Sequence, residues 1–457
     1  MSNRLPANPY TSGSIPRMFV RTAIPIIALT SISGLLSVVD AIFLGAFVGP
    51  NALEAVTLMF PFTMLLVALV TMVSTGMSSV LGRLIGGGKL DEARRVFAGA
   101  HGLSLTISLA LIALFVAVGG PVAGLIAGGS TETAGMGQVF IGIWIFFSPA
   151  VFLLAVHSDA LRVEGRVGFM AATGLAVSIA NVAFNYALIV WFGLGVAGSA
   201  LGTGLAQLLA LLAILLYRRS GKAVLSTPFI ALLAWRAQWR EILELGLPRS
   251  LSFLGISLGA AAIIAALRVF GGQDTDASIA AYGVLTRILS FAYFPLLGIS
   301  LALQAMVGNN YGAGLWARSN ASLKLALLLS FGYACAIEII LVAFSGSLGW
   351  LFVADPVVVA AIARILPPYV ALYVTFGPAM IITGYLQSIG DAKGSAILAL
   401  SRTYLFAVPL TFLLPILFGE NGIWFAAPIA DCLVVMVMAA LLARQPRDME
   451  WGLFKVA

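Results

Sequence analysis

The sequence predicts an all-α integral membrane protein of twelve transmembrane helices, arranged as two six-helix lobes related by a parallel pseudo-repeat. Three observations predict it: too little charge to cover the chain in water, twelve apolar runs of spanning length, and short glycine motifs that recur about half a chain apart.

Of 457 residues, 61% are hydrophobic and 9% are charged, whereas a soluble domain carries about a quarter charged residues because its surface faces water. Most of this chain must therefore be solvated by lipid. The net charge of +7 would suit nucleic acid, but the basic residues lie in short loops between apolar runs. Nucleic acid is excluded as a partner on that ground, and membrane lipids are the expected surroundings. Cys335 and Cys432 lie in apolar stretches, no CxxC pair exists, and the histidines are His101 and His157; neither a metal site nor a disulfide framework is expected. Gly88-Lys89 resembles the end of a phosphate-binding loop, but Arg83 and Leu90 stand where that motif needs Gly and Ser or Thr. ATP-driven pumping, enzyme activity and an organic cofactor are not expected.

A helix needs roughly 20 apolar residues to cross the hydrocarbon core. Twelve runs qualify: 18–45, 52–82, 96–118, 137–158, 167–191, 196–217, 243–268, 278–307, 321–344, 361–387, 395–417 and 422–443. They are too long, and too continuously apolar, for barrel strands. The polar stretch from Met1 to Arg17 reads as a cytosolic tail leading into a retained first helix.

Orientation follows from the basic residues. The N-terminus, the loops after spans 2, 4, 8 and 10, the central loop and the C-terminus together hold 21 of the 25 Lys and Arg residues. The opposite loops carry Arg268 with the acidic Glu54, Glu132, Asp274, Asp276, Asp355 and Glu420. Both termini are expected in the cytoplasm, in a cell's inner (plasma) membrane.

The longest basic loop divides the chain into an N-terminal lobe at 1–217, a linker at 218–242 and a C-terminal lobe at 243–457. Gly82-Arg-Leu-Ile-Gly86-Gly-Gly88 matches Gly308-Asn-Asn-Tyr-Gly312-Ala-Gly314, 226 residues later. Leu161 to Gly165 likewise resembles Leu386 to Gly390, and Ile24-Pro25 resembles Leu247-Pro248. A repeat of six helices keeps the same orientation in both copies, which places a substrate cavity between two lobes that rock around it.

These and other segments resemble the MATE (multidrug and toxic compound extrusion) family, in its MepA/DinF-type bacterial branch, over nearly the whole chain. The resemblance is carried by Ser37-Val-Val-Asp40-Ala-Ile-Phe-Leu-Gly45, the stretch from Gly82 to Arg94, Leu161-Arg-Val-Glu-Gly165, Asn181 to Ile189 and Phe192 to Gly198. In the second half it is carried by Gly312-Ala-Gly314, Leu386 to Gly390, Gly422-Ile-Trp424 and Pro428-Ile-Ala-Asp431. It implies a V-shaped pair of lobes and export of bulky, often cationic or amphipathic drugs in exchange for H⁺ or Na⁺. A chain of this size can work as a monomer.

An ionised Asp at the bilayer centre costs roughly 2.5–3.5 kcal/mol on insertion scales, so a deep acid needs a reason to be there. Asp40, Glu338 and Asp431 lie deep in the predicted spans. Thr30, Ser33, Ser37 and Asp40 share one helical face, and Pro25 permits a bend in the same helix. A carboxyl group in such a place can load and release a proton as the conformation changes. The family's first-helix Asp falls on Asp40.

Partners are expected from Ser178, Asn181 and Asn185, from Thr203 and Gln207, and from Thr71, Ser74 and Ser78; the resemblance points to Asn181 and Thr203. Helix packing is the alternative role for these amides. Some relatives carry a second Asp where Asn185 stands. The sodium-coupled branch's acids in spans 7 and 10 are also absent, which favours H⁺ over Na⁺ as the coupling ion.

Asp431 is expected to make an interhelical hydrogen bond, and Glu338 to pair with Arg287 or Arg402. Asp159, Arg162 and Glu164 fall at the membrane edge, in solvated or gating positions. Met59, Phe60, Met64, Met72 and Met77, with Tyr282, Tyr293 and Tyr373, offer soft or aromatic contacts for varied drugs. A lipid-linked precursor flippase of the same superfamily would need two more helices and several cavity arginines, and no buried Arg is expected in the first lobe. Metabolite transport, in either direction, stays open. A channel or receptor fits the repeat and the buried Asp40 less well.

Overall fold

The computed structural model describes residues 8–126, 130–225, 234–272 and 274–444. In lipid, each backbone N–H and C=O must be paired within its own segment, so the apolar runs close into helices. The N-terminal half holds α1 (Ile15–Phe47), α2 (Pro50–Leu58), α3 (Phe60–Gly86), α4 (Leu90–Ile126), α5 (Thr131–Val163), α6 (Val167–Tyr186) and α7 (Gly195–Arg219). The C-terminal half holds α8 (Trp239–Phe270), α9 (Thr275–Gly312), α10 (Trp316–Ala343), the short α11 (Ser345–Leu348), α12 (Pro356–Val370), α13 (Tyr373–Ile389), α14 (Ala392–Leu400), α15 (Val408–Phe418) and α16 (Glu420–Arg444). Among the described residues, eleven helices are long and apolar enough to cross a membrane; α12 and α13, bent by 50° at their break, make a twelfth.

The predicted runs fall on these spans, with local differences. Span 2 is broken at Met59, and span 10 is broken between Val370 and Tyr373. There Pro367 and Pro368 occupy the last turn of α12 and Leu372 takes φ +71°, a conformation that no helix continues through. Two spans contain π-helical turns, at Ala187–Trp191 after α6 and at Ser401–Ala407 between α14 and α15. Helix α1 runs unbroken past Pro25. The predicted linker of 218–242 is overlapped at both ends, because α7 continues to Arg219 and α8 begins at Trp239.

The repeated motifs have a physical role in both copies. Gly88, Gly165, Gly314 and Gly390 take φ of 73°, 78°, 72° and 94° and close α3, α5, α9 and α13, because only a residue without Cβ turns left-handed there at no steric cost. Gly82 and Gly308, equivalent in the repeat, meet each other: a Cβ on either would lie 3.2–3.3 Å from the other's Cα. Gly86 faces the Asn309 carbonyl and Gly312 faces that of Arg83 with no room for a side chain. The two halves therefore touch backbone to backbone at the ends of α3 and α9.

Around this contact α3 packs on α8, and α1 and α3 pack on α9. Arg162 is 1% exposed and spans the seam. It donates to Leu301 O (2.9 Å), Gln304 Oε1 (3.0 Å) and Ser78 Oγ (3.1 Å), with Asp159 at 3.0 Å. Asn309 donates to Val163 O (3.1 Å), and Arg83 pairs with Glu241 (2.8 Å). The segment before α1 lies over the seam: Tyr10 donates to Arg162 O (2.6 Å), Asn8 to Asn309 Oδ1 (2.7 Å), and Arg318 reaches the carbonyls of Tyr10, Ser12 and Gly13. Solvation at the membrane edge thus fails as a reading of Arg162, and also of Glu164, which is buried against Arg218 at 2.8 Å.

Adding one methyl group tests the seam. Gly246 of α8 abuts the Met72 carbonyl, whereas a Cβ on Gly259 of the same helix would meet nothing within 4 Å. Gly246→Ala is expected to lower the thermal unfolding midpoint of the purified protein, at a cost of about 1–3 kcal/mol. Gly259→Ala should be neutral or stabilising by up to about 1 kcal/mol.

Candidate ion-coupling and substrate site

Asp40 lies half-buried in α1 and is reached from α6. Asn185, fully buried, donates its Nδ2 to Asp40 Oδ1 at 2.7 Å, with Asn181 Oδ1 3.5 Å from the same nitrogen. Asn181 in turn donates to Thr203 Oγ1 at 2.8 Å, and Thr203 donates to Ser199 O at 3.1 Å. The chain Asp40–Asn185–Asn181–Thr203 thus crosses α1, α6 and α7. Gly202 makes room for it, since a Cβ there would overlap Asn185 Oδ1. No cation lies within ion-pair distance of Asp40 among the described residues.

Other predicted partners go elsewhere. Ser78 binds Arg162 at the seam, and Thr71 accepts from Thr75 through its carbonyl. Ser178 bonds back to Gly174 O. Thr30 donates to Phe294 O in the other half at 3.3 Å, and Ser33 donates to Leu29 O. The side chain of Ser37 lies outside the described residues.

The remaining deep acids are each matched by donors. Asp431 of α16 pairs through both carboxylate oxygens with Arg402, at 2.5 and 3.2 Å. Arg402 also lies over the Phe376 ring at 4.8 Å. The expected pairing of Glu338 with Arg287 or Arg402 is not what forms: Glu338 accepts the backbone N–H groups of Leu372 (3.2 Å) and Val374 (2.7 Å). The reason is the break in span 10, which leaves the first N–H groups of α13 without helical partners. A carboxylate there answers both those donors and the positive end of the helix dipole.

Buried arginines do occur in the first half, contrary to expectation. Arg162 is engaged in the seam, while Arg218 is held by Glu164, Leu225 O and His157 O. Beside Arg218 lies a histidine pair that sequence reasoning missed, His101 and His157, whose Nε2 atoms are 3.0 Å apart. No spacing rule joins residues on two different helices; only their helical faces, once paired, could have suggested it.

The drug-contact candidates divide. Met72, Met77 and Met59 are buried, Met72 at the seam, whereas Met64 is half-buried and Phe60 exposed. Tyr282 is packed in the core of the second half with Tyr369 and Trp424. Tyr293 and Tyr373 flank Phe376 at 6.3 and 5.5 Å, and the Tyr373 hydroxyl is buried without a partner.

The ion pair makes a direct prediction. Asp431→Asn leaves Arg402 without its counter-charge; because that side chain is 32% exposed, the expected loss is about 1–3 kcal/mol rather than the 3–5 of a fully buried pair. Arg402→Gln/Asp431→Asn together should recover most of the loss in thermal unfolding of the purified protein.

A family model described as MatE matches the chain twice, over residues 25–187 and 251–413. The multidrug export protein MepA of Staphylococcus aureus (strain N315) is 25% identical over 448 residues, covering 96% of each chain. A Shewanella oneidensis protein named FAD transporter is 27% identical over 439 residues, covering 93% of each. Among solved structures, the MATE multidrug transporter DinF-BH superposes with a TM-score of 0.86 at 27% identity, covering 97% of each chain. A MOP superfamily transporter from Pyrococcus furiosus gives a TM-score of 0.87 at 22% identity, covering 95% of this chain and 97% of that one. With both halves matched and the two-lobe helical fold shared, the chain belongs to the MatE family of multi-pass membrane transporters.

Proposed function

We propose that this protein is a secondary active multidrug efflux antiporter, exporting organic, often cationic or amphipathic compounds in exchange for H⁺ by alternating access. Asp40 is the residue that loads the proton. The observation that carries this reading is the contrast among the three deep acids. Asp431 has an arginine and Glu338 has two backbone donors, while Asp40 has the neutral amide of Asn185. A carboxylate with no counter-charge in a membrane is costly, and a proton or a cationic substrate removes that cost in turn. Exclusive occupancy by one or the other couples the two fluxes.

The S. aureus relatives named multidrug export proteins, and the neighbour named a MATE multidrug transporter, support the substrate class. With Asn at 185 the site offers one carboxylate, which favours H⁺ over Na⁺. The seam closes the end of the molecule that bears the basic loops. With both termini in the cytoplasm of an inner membrane, this conformation faces outward, and opening the seam gives the inward-facing state. The protein is read as a functional monomer. Metabolite export is a second reading, favoured by the relative named FAD transporter.

Efflux of ethidium, a fluorescent organic cation, from proteoliposomes under an imposed pH gradient, or under a Na⁺ gradient, tests the proposal. The wild type should respond to the pH gradient, and Asp40→Asn should lose at least about tenfold in rate, the size expected for removing an essential proton carrier. Full activity in Asp40→Asn would remove Asp40 from the mechanism, and a response to Na⁺ alone would replace the proton.

A further inference from the structure

We infer that the C-terminal half holds the anionic group of the substrate, a carboxylate, phosphate or sulfonate, at Arg287 of α9. An arginine inside a spanning helix ordinarily has a carboxylate partner or faces water. Arg364 pairs with Glu420 and Arg402 with Asp431. Arg287 is exposed and makes no ion pair or hydrogen bond with any described residue.

The face of α9 that carries it is polar. Gly283 and Ser290 are exposed on that side, Thr286 is half-buried beside them, and the hydroxyls of Thr286 and Ser290 bond back to their own helix. Lipid-facing surface is apolar, so this stripe faces water. The same side of the helix continues to Phe294 and Gly298, seven and eleven residues on, which is close to whole turns. Phe294 fills the space beside Gly34 of α1, and Gly298 abuts Ile27. Arg287 therefore stands two turns beyond the contact with α1, on the face directed at the other half. It lies where the halves part, above the seam.

Phe291, 38% exposed, meets Phe294 edge-on at 6.3 Å and lies four residues, about one helical turn, from Arg287. Arg suits such a place, because its planar fork binds oxyanions and stacks on rings at once. Of the charges without an ion pair among the described residues, which include Arg249 of α8, Asp40 stands in the first half and Arg287 in the second. The combination selects aromatic compounds bearing both a basic and an acidic group. The inference deepens the export reading, on which it rests for the direction of transport, but the binding it requires needs no ion gradient.

The test uses the purified full chain in neutral detergent and two probes with the same ring, pyrene-1-carboxylate and pyrene-1-carboxamide. The wild type should bind the carboxylate at least about tenfold more tightly than the carboxamide. Arg287→Gln should abolish that preference without weakening carboxamide binding, Arg287→Lys should keep most of it, and Asp40→Asn should leave it intact. Equal binding of the two probes by the wild type, or a preference that survives Arg287→Gln, overturns the inference. A second arm repeats the measurement in phosphatidylcholine nanodiscs with and without phosphatidylglycerol. Competition by phosphatidylglycerol that Arg287→Gln removes would assign the residue to lipid headgroups and overturn the substrate role; an unchanged preference in both bilayers supports it. Because the readout is equilibrium binding, loss of proton-driven efflux in Asp40→Asn with an intact carboxylate preference separates the two proposals.

Discussion

A charge held in hydrocarbon must be neutralised, and the interior of this molecule is organised around how that is done. Asp431 has Arg402, Glu164 has Arg218, and Glu338 has the free N–H groups at the start of α13. Each solution fixes one span against another. Asp40 is the exception. Its partner Asn185 donates a hydrogen bond but carries no charge, and the proposed proton loading rests on that missing counter-charge. That asymmetry sets Asp40 apart from Glu164 of its own half as well as from the deep acids of the other half.

The second constraint is the seam between the halves. Backbone contact through Gly82, Gly86, Gly308 and Gly312 brings carbonyls and side-chain donors of both halves within reach, and Arg162 gathers them. Neutral contacts of this kind are individually worth about 0.5–1.5 kcal/mol net, and those donated by the Arg162 guanidinium about 1.5–3 kcal/mol, since water competes for the same groups. A closure built from such bonds can be strong as a set and still reversible. The segment from Asn8 to Gly13 adds to it from outside, tying Arg162 and Asn309 to Arg318. Apolar packing crosses the seam as well: one cluster joins Phe19, Ile26 and Leu161 to Leu303, Met306 and Tyr385, whereas the group around Tyr282, Ile362 and Trp424 lies within the C-terminal half.

The spans and their order are legible in the sequence because lipid imposes long apolar runs that no soluble fold requires. The repeat is legible because the same helix stops, Gly88 with Gly314 and Gly165 with Gly390, are needed twice. Asn185, which meets Asp40, is selected by helical spacing, yet Ser78, selected by the same spacing rule, turns to Arg162 instead. Spacing identifies a face of one helix but not the helix that faces it. For that reason sequence reasoning pairs Glu338 with arginines when its donors are backbone groups exposed by a break, although Pro367-Pro368 marks the break in advance. Arg162 and Arg218 mislead similarly: their position near helix ends suggests water, and only tertiary packing buries them.

The most direct test of Asp40 as the proton-loading group is proton release on substrate binding, measured in weakly buffered detergent solution with a pH electrode. Addition of ethidium to the wild type should release protons in proportion to the ethidium bound, and Asp40→Asn should release none at equal occupancy. Binding without proton release in the wild type, or equal release from Asp40→Asn, would contradict the account.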